Sequence, residues 1–185
     1  MDLADEEKRV LLERARSAIK SQLDNVPNAL PQFSTIDHAP GGVFVTLRIG
    51  TELRGCIGYV ESKAPLAETV EEVACKAAFE DPRFPPVRSD ELPGLSIEIS
   101  ILSPLEVVKN VEGIEVGKHG LVIEGYGHRG LLLPNVATEY QWNREDLLYH
   151  TAQKAGLPPE SWRSGDVLIC SFTTETFSEA ESQPH

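Results

Sequence analysis

Arginine and cysteine stand one residue apart at Arg54 and Cys56, with Gly55 between them and Gly58 shortly after. In an extended strand such residues project from one face, so the guanidinium would lower the thiol pKa and favour a nucleophilic thiolate. The same residues have a packing reading, because cysteine is among the most buried residue types and glycines let backbone, or a ligand, approach closely. Asp81-Pro82-Arg83-Phe84 supplies a second guanidinium whose planar fork suits an anionic ligand. The alternative is a structural turn in which Asp81 and Arg83 tie the loop to neighbouring backbone. Glu98 and Ser100 share the polar face of one strand, turned either to a ligand or to solvent. His119, between Lys118 and Gly120, titrates in the range of a general base. No orienting partner lies near it in sequence, and a glycine-flanked residue favours a loop. Lys154, at a helix end, reads as a complement to the helix dipole rather than a catalyst.

The elements that position these groups follow from apolar periodicity. Leu11, Ala15, Ala18, Ile19 and Leu23 recur at helical spacing and predict a helix over 5–23. Residues 27–40, rich in Pro, Asn, Ser and Asp, read as an irregular connection. Val43, Val45, Leu47 and Ile49 alternate, Gly50-Thr51 offers a tight turn, and 53–60 returns, which predicts a hairpin. A two-residue turn there makes opposed residue numbers sum to 101, setting Cys56 opposite Val45 in a core-like environment with its thiol buried and its pKa raised. In that register Arg54 snorkels outward, whereas a bulge at Gly55 exchanges the faces. A second helix starts at Ser62 to Pro65 and ends near Glu80, before Asp81-Pro82. Ile97, Ile99 and Ile101 mark a strand, and glycines at 113, 117, 120, 125, 127 and 130 punctuate short strands and turns. Asn143 with Asp146 caps a third helix that Gly156 ends, with Trp142 and Trp162 bracketing and anchoring it. Residues 167–172 form a strand, and 178–185 read as a polar tail. Strands interspersed with about three helices indicate an α+β protein with a mixed sheet.

Composition narrows the function classes. With 17 basic and 29 acidic residues the net charge is −12, which repels phosphate backbones and anionic lipid, so no nucleic acid or membrane partner is expected. No stretch approaches the roughly 20 apolar residues of a membrane span, and the charged N-terminus lacks a secretory pattern, so the expected location is cytoplasmic. Cys56, Cys75 and Cys170 are too dispersed for a disulfide framework or an iron–sulfur site. The five histidines lack zinc-ligand spacing, so neither metal nor cofactor is expected.

Leu53-Arg54-Gly55-Cys56-Ile57-Gly58 resembles the signature hexapeptide of the AMMECR-type domain family, to which protein A of the AmmeMemoRadiSam system belongs. In order along the chain, 81–84, 97–100, 118–121, 131–134 and 154–157 resemble further segments of that family, covering about 5–178 as a single domain with a tail at 179–185. Asn135 stands where the family often has glutamine, and Ala152 where many members carry cysteine, which leaves any activity of that second thiol in doubt. The resemblance implies two unequal lobes sharing a cleft, and Memo-type and radical-SAM partner proteins. It implies no reaction.

Two functions follow as expectations. The first is an accessory binding protein that docks a small anion, peptide or partner around Arg54-Gly55-Cys56, with Gly58, Arg83, Glu98 and Ser100 lining the site. The second is a thiol-dependent enzyme with Cys56 as nucleophile, assisted by Arg54 and by His119 brought close through folding.

Overall fold

The computed structural model describes residues 3–28 and 41–179. The chain forms two compact units, 1–102 with 175–185 and 103–174. Most of the expected connection at 27–40, and the tail beyond Glu179, lie outside the described residues.

The first unit opens with α1 (Asp5–Asp24), whose first turn carries Asp5, Glu6 and Glu7 against the positive end of the helix dipole. Glu7 also accepts from the Ala4 N–H at 2.8 Å, and Asn25, at φ 53°, ends the helix in the left-handed conformation. Leu11, Leu12, Ala15, Ala18 and Ile19 form its buried stripe. The hairpin β1 (Gly42–Ile49) and β2 (Glu52–Tyr59) turns at Gly50-Thr51 as its sequence predicts, with Gly50 at φ 60°. Next comes α2 (Leu66–Phe79), which stops one residue before the predicted end. It is followed by β3 (Leu95–Leu102), while β8 (Thr174–Ser178) returns from the far end of the chain. The sheet order is β2-β1-β3-β8, with β2 at one edge. Val43, Val45 and Leu47 of β1 meet Ile101, Ile99 and Ile97 of β3 in register, and all six are buried in one core with Val70, Val73, Ala74 and Ala77 of α2. This core fixes which face of the sheet is left for chemistry. Ser178, expected to begin a frayed tail, instead closes β8, and Glu179 accepts two hydrogen bonds from Arg16, both at 2.6 Å.

The second unit contains β4 (Glu106–Val107), β5 (Gly120–Gly125), β6 (His128–Leu132), α3 (Pro134–Glu139), α4 (Arg144–Lys154) and β7 (Leu168–Phe172). Its strands run in the order β4-β7-β5-β6, antiparallel at every step. Asn143 caps α4 as expected, its Oδ1 accepting from the Asp146 N–H at 3.0 Å while Asp146 accepts from the Asn143 N–H at 3.1 Å. Leu147, Leu148 and Ala152 of α4 pack on Leu121 and Ile123, with Trp142 and Trp162 partly buried against the same cluster. The α+β reading holds, but the strands sort into two four-stranded sheets instead of one, and α3 is a fourth helix. No helix among the described residues is long and apolar enough to cross a membrane.

Candidate functional site

Cys56 does not face Val45. The pairs Ile49–Glu52 and Arg48–Leu53 keep the register the turn dictates, but Leu47 then pairs with Gly55 and Thr46 with Cys56. Arg54 is therefore the extra residue of a β-bulge, and past it every side chain of β2 changes face. Gly55, Ile57 and Tyr59 turn toward the core with Leu47, Val45 and Val43, while Cys56 joins Thr46 on the opposite, polar face. This corrects the core placement of the thiol: Cys56 is half-buried among polar neighbours.

Two arginine clamps hold the bulged strand. Arg54 donates through Nε and Nη2 to Glu91 at 2.7 and 3.0 Å, and to the carbonyls of Pro85 and Pro86 at 2.8 and 3.2 Å. This bidentate fork fixes the loop after α2 to β2. It also holds the Glu91 carboxyl below its usual pKa, aided by the Arg88 N–H and opposed by desolvation.

The second clamp is Asp81 with Arg83. Asp81 is almost wholly buried and accepts from four donors: Arg83 N and Nε through Oδ1, and Arg83 Nη2 and Cys56 N through Oδ2, at 2.7 to 3.0 Å. The Arg83 guanidinium, followed by the Cys56 and Arg83 N–H groups, drives its pKa far below the ordinary carboxylate range despite burial. Arg83 Nη2 also donates to the Cys56 carbonyl at 3.0 Å. Both main-chain groups of Cys56 thus point away from β1, at the open edge of the sheet, where a carboxylate and a guanidinium take the place of a neighbouring strand.

That orientation sets the geometry of the polar face. Thr46 and Cys56 form a non-hydrogen-bonded pair, the kind with Cα atoms only about 4.5 Å apart. The Thr46 hydroxyl accordingly reaches the thiol and donates to Sγ at 3.3 Å. On its other side Thr46 pairs with Glu98 of β3, so Cys56, Thr46 and Glu98 form one row across three strands. Glu98 is half-buried, and among the described residues it has no hydrogen-bond or ion-pair partner. One row further, Gly58, Phe44 and Ser100 lie side by side, and Ser100 shares a 2.8 Å hydrogen bond with Thr176.

A family model for AMMECR1 matches residues 12–177 of this sequence. The chain belongs to the AMMECR1 family. Protein MJ0810 of Methanocaldococcus jannaschii is 41% identical in an alignment that covers 90% of this chain and 87% of that protein. A Methanothermobacter thermautotrophicus protein is likewise 41% identical, in an alignment that covers 96% of both chains. The crystal structure of PH0010 from Pyrococcus horikoshii superposes with a TM-score of 0.87 at 37% identity, covering 96% of this chain and 93% of that one.

Within this AMMECR1 chain the expected site residues divide by what their atoms already do. Cys56, Arg83 and Glu98 come together on or beside one face, and Thr46, which sequence reasoning passed over, stands at its centre. Arg54 has all three guanidinium nitrogens engaged in the loop clamp. A Cβ on Gly55 would lie 2.2 Å from the Ala77 carbonyl oxygen, so that glycine serves the close approach of α2 to the sheet. A Cβ on Gly58 would lie 2.3 Å from the Phe44 ring. His119 lies in the second unit, where Nδ1 accepts from the Glu115 N–H at 3.0 Å and closes its own turn. Neither an imidazole nor a carboxylate is bonded to the Cys56 thiol among the described residues. No group of three His, Cys, Asp or Glu residues there could hold a metal ion.

Proposed function

We propose that this AMMECR1-family protein is a cytoplasmic accessory binding protein of the AmmeMemoRadiSam system. In this reading it works with Memo-type and radical-SAM proteins and presents a ligand site on the polar face beside the Arg54-Gly55-Cys56 bulge. The observation that carries the reading is the bulge itself. It turns a cysteine out of the core into a row with Thr46 and a carboxylate lacking a counter-charge, beside an arginine held rigid by Asp81. Bulges are over-represented at sheet edges and beside active sites, where they re-aim a side chain.

Binding is favoured over thiol catalysis because a nucleophilic cysteine is activated by an adjacent base or by a neighbouring positive charge. The partner of Sγ here is a hydroxyl. That hydroxyl is also what supports the second reading, a thiol-dependent enzyme, since its hydrogen bond fixes the position of the sulfur. Alkylation of Cys56 across a pH series separates the two: a reactive thiolate at neutral pH supports the enzyme, and slow reaction there supports binding. The partner assignment is tested by co-purification with the Memo-type protein and metabolite analysis of the complex. Failure of the two proteins to associate would refute it.

A further inference from the structure

The charged groups on the polar face define what fits it, and this inference rests on the binding reading above. Arg83 spends Nε and Nη2 on Asp81 and the Cys56 carbonyl, while Nη1 has no hydrogen-bond partner among the described residues. Its side chain is 55% exposed. A guanidinium fixed along one edge with a free N–H beyond it is a ready donor to a carboxylate. Glu98 has the opposite need. It is half removed from water and lacks a counter-charge, while Arg48, on the same face, turns to the Thr51 carbonyl instead. A carboxylate in that position favours an ammonium group that restores both its charge balance and its hydrogen bonds.

The spacing selects among molecules that carry both groups. A non-hydrogen-bonded and a hydrogen-bonded strand pair together separate the Cα atoms of Cys56 and Glu98 by about 10 Å. An extended peptide advances about 3.3–3.6 Å per residue, so roughly three residues cover that row, and Arg83, which meets the Cys56 carbonyl from the outer side, stands beyond its end. Thr46 and Cys56, which stand in the row beside Glu98, carry small side chains that a main chain can cross. A bare anion meets the unneutralised Glu98, and a bare cation leaves the Arg83 fork unused.

We propose that the face binds short peptides by their free ends, the α-ammonium on Glu98 and the α-carboxylate on Arg83. The probes are trialanine, N-acetyl-trialanine and trialanine amide, titrated into the isotopically labelled full chain and followed by amide chemical shifts. Trialanine is expected to shift the amides of Thr46, Cys56 and Glu98. Blocking either end is expected to weaken binding by about tenfold or more, the scale of one lost charged hydrogen bond. The penalty for acetylation should vanish in Glu98→Gln, which keeps the side-chain volume. Because the blocked peptides test each end in the wild-type protein, the experiment does not depend on how well a variant folds. Equal affinity of blocked and free peptides at these amides overturns the peptide-end inference and leaves the face as a binding site. Shifts confined to other residues, or none with any of the three, overturn the inference and the binding reading together.

Discussion

Replacing Asp81 with asparagine removes the acceptor that holds Cys56 at the sheet edge. Oδ2 of the wild type accepts from Cys56 N at 2.9 Å and Arg83 Nη2 at 2.7 Å, while Oδ1 serves Arg83 N and Nε. An amide keeps one acceptor and turns an NH2 group toward two donors. Two hydrogen bonds to a charged group are lost, at about 1.5–3 kcal/mol each. Water recovers part of this at the exposed Arg83, so the expected loss is about 3 kcal/mol. The pH dependence carries a definite sign. The folded pKa of Asp81 is depressed, so its contribution is complete above the unfolded value of about 3.9 and fades as pH falls toward the folded value. The gap between wild type and Asp81→Asn should therefore be constant near neutrality and shrink below about pH 4. Both tryptophans, Trp142 and Trp162, lie in the second unit, so the effect is read from groups of the first. Hydrogen exchange at the Cys56 amide, with denaturant unfolding followed by circular dichroism, reads it directly. A variant within about 0.5 kcal/mol of wild type, the usual range for inconsequential surface changes, would refute the edge-capping account. So would a gap that widens in acid.

Gly55→Ala should cost about 2 kcal/mol or more, because its Cβ meets a helix carbonyl at 2.2 Å, whereas Gly94→Ala, with nothing within 4 Å, should cost far less. Parallel unfolding titrations compare the two. Arg54→Lys should lose about 1–2 kcal/mol, since an ammonium cannot reproduce the bidentate contact with Glu91 and the two proline carbonyls. Exchange at the amides of 87–91 should rise with it. Burial, with Glu71 and Glu80 nearby, pushes the Cys75 thiol up to about 11, so Cys75 should resist alkylation at pH 8 and react as pH approaches that value. Peptide mapping after timed labelling checks this.

The elements dominated by local periodicity were legible in the sequence. α1, α2, α4 and the Gly50-Thr51 turn follow from apolar spacing and capping residues close by in the chain. α3 was missed although Pro134 at its first turn is a known start signal, because six residues are too few to show a periodic stripe. The site was legible in composition and illegible in orientation. Arg54, Cys56, Arg83 and Glu98 stand out by type, yet the face of Cys56 depends on a bulge whose stabilising partners lie 31 to 37 residues away. Alternation within β2 carries no trace of that distant pull. Thr46 escaped notice for the same reason, since its pairing with Cys56 exists only in the shifted register. Asp81 and Arg83 were rightly suspected of tying a loop to backbone, and the backbone they tie is that of Cys56.

The central claim, that the Thr46–Cys56–Glu98 face is the binding surface, is tested most directly by labelling Cys56 with a small alkylating reagent in the folded protein. Cys56 should react slowly but without unfolding, and ahead of the buried Cys170. The labelled protein should keep its circular dichroism spectrum and lose peptide binding. Protection of Cys56 until the protein unfolds, or a labelled protein that binds as before, would contradict the account.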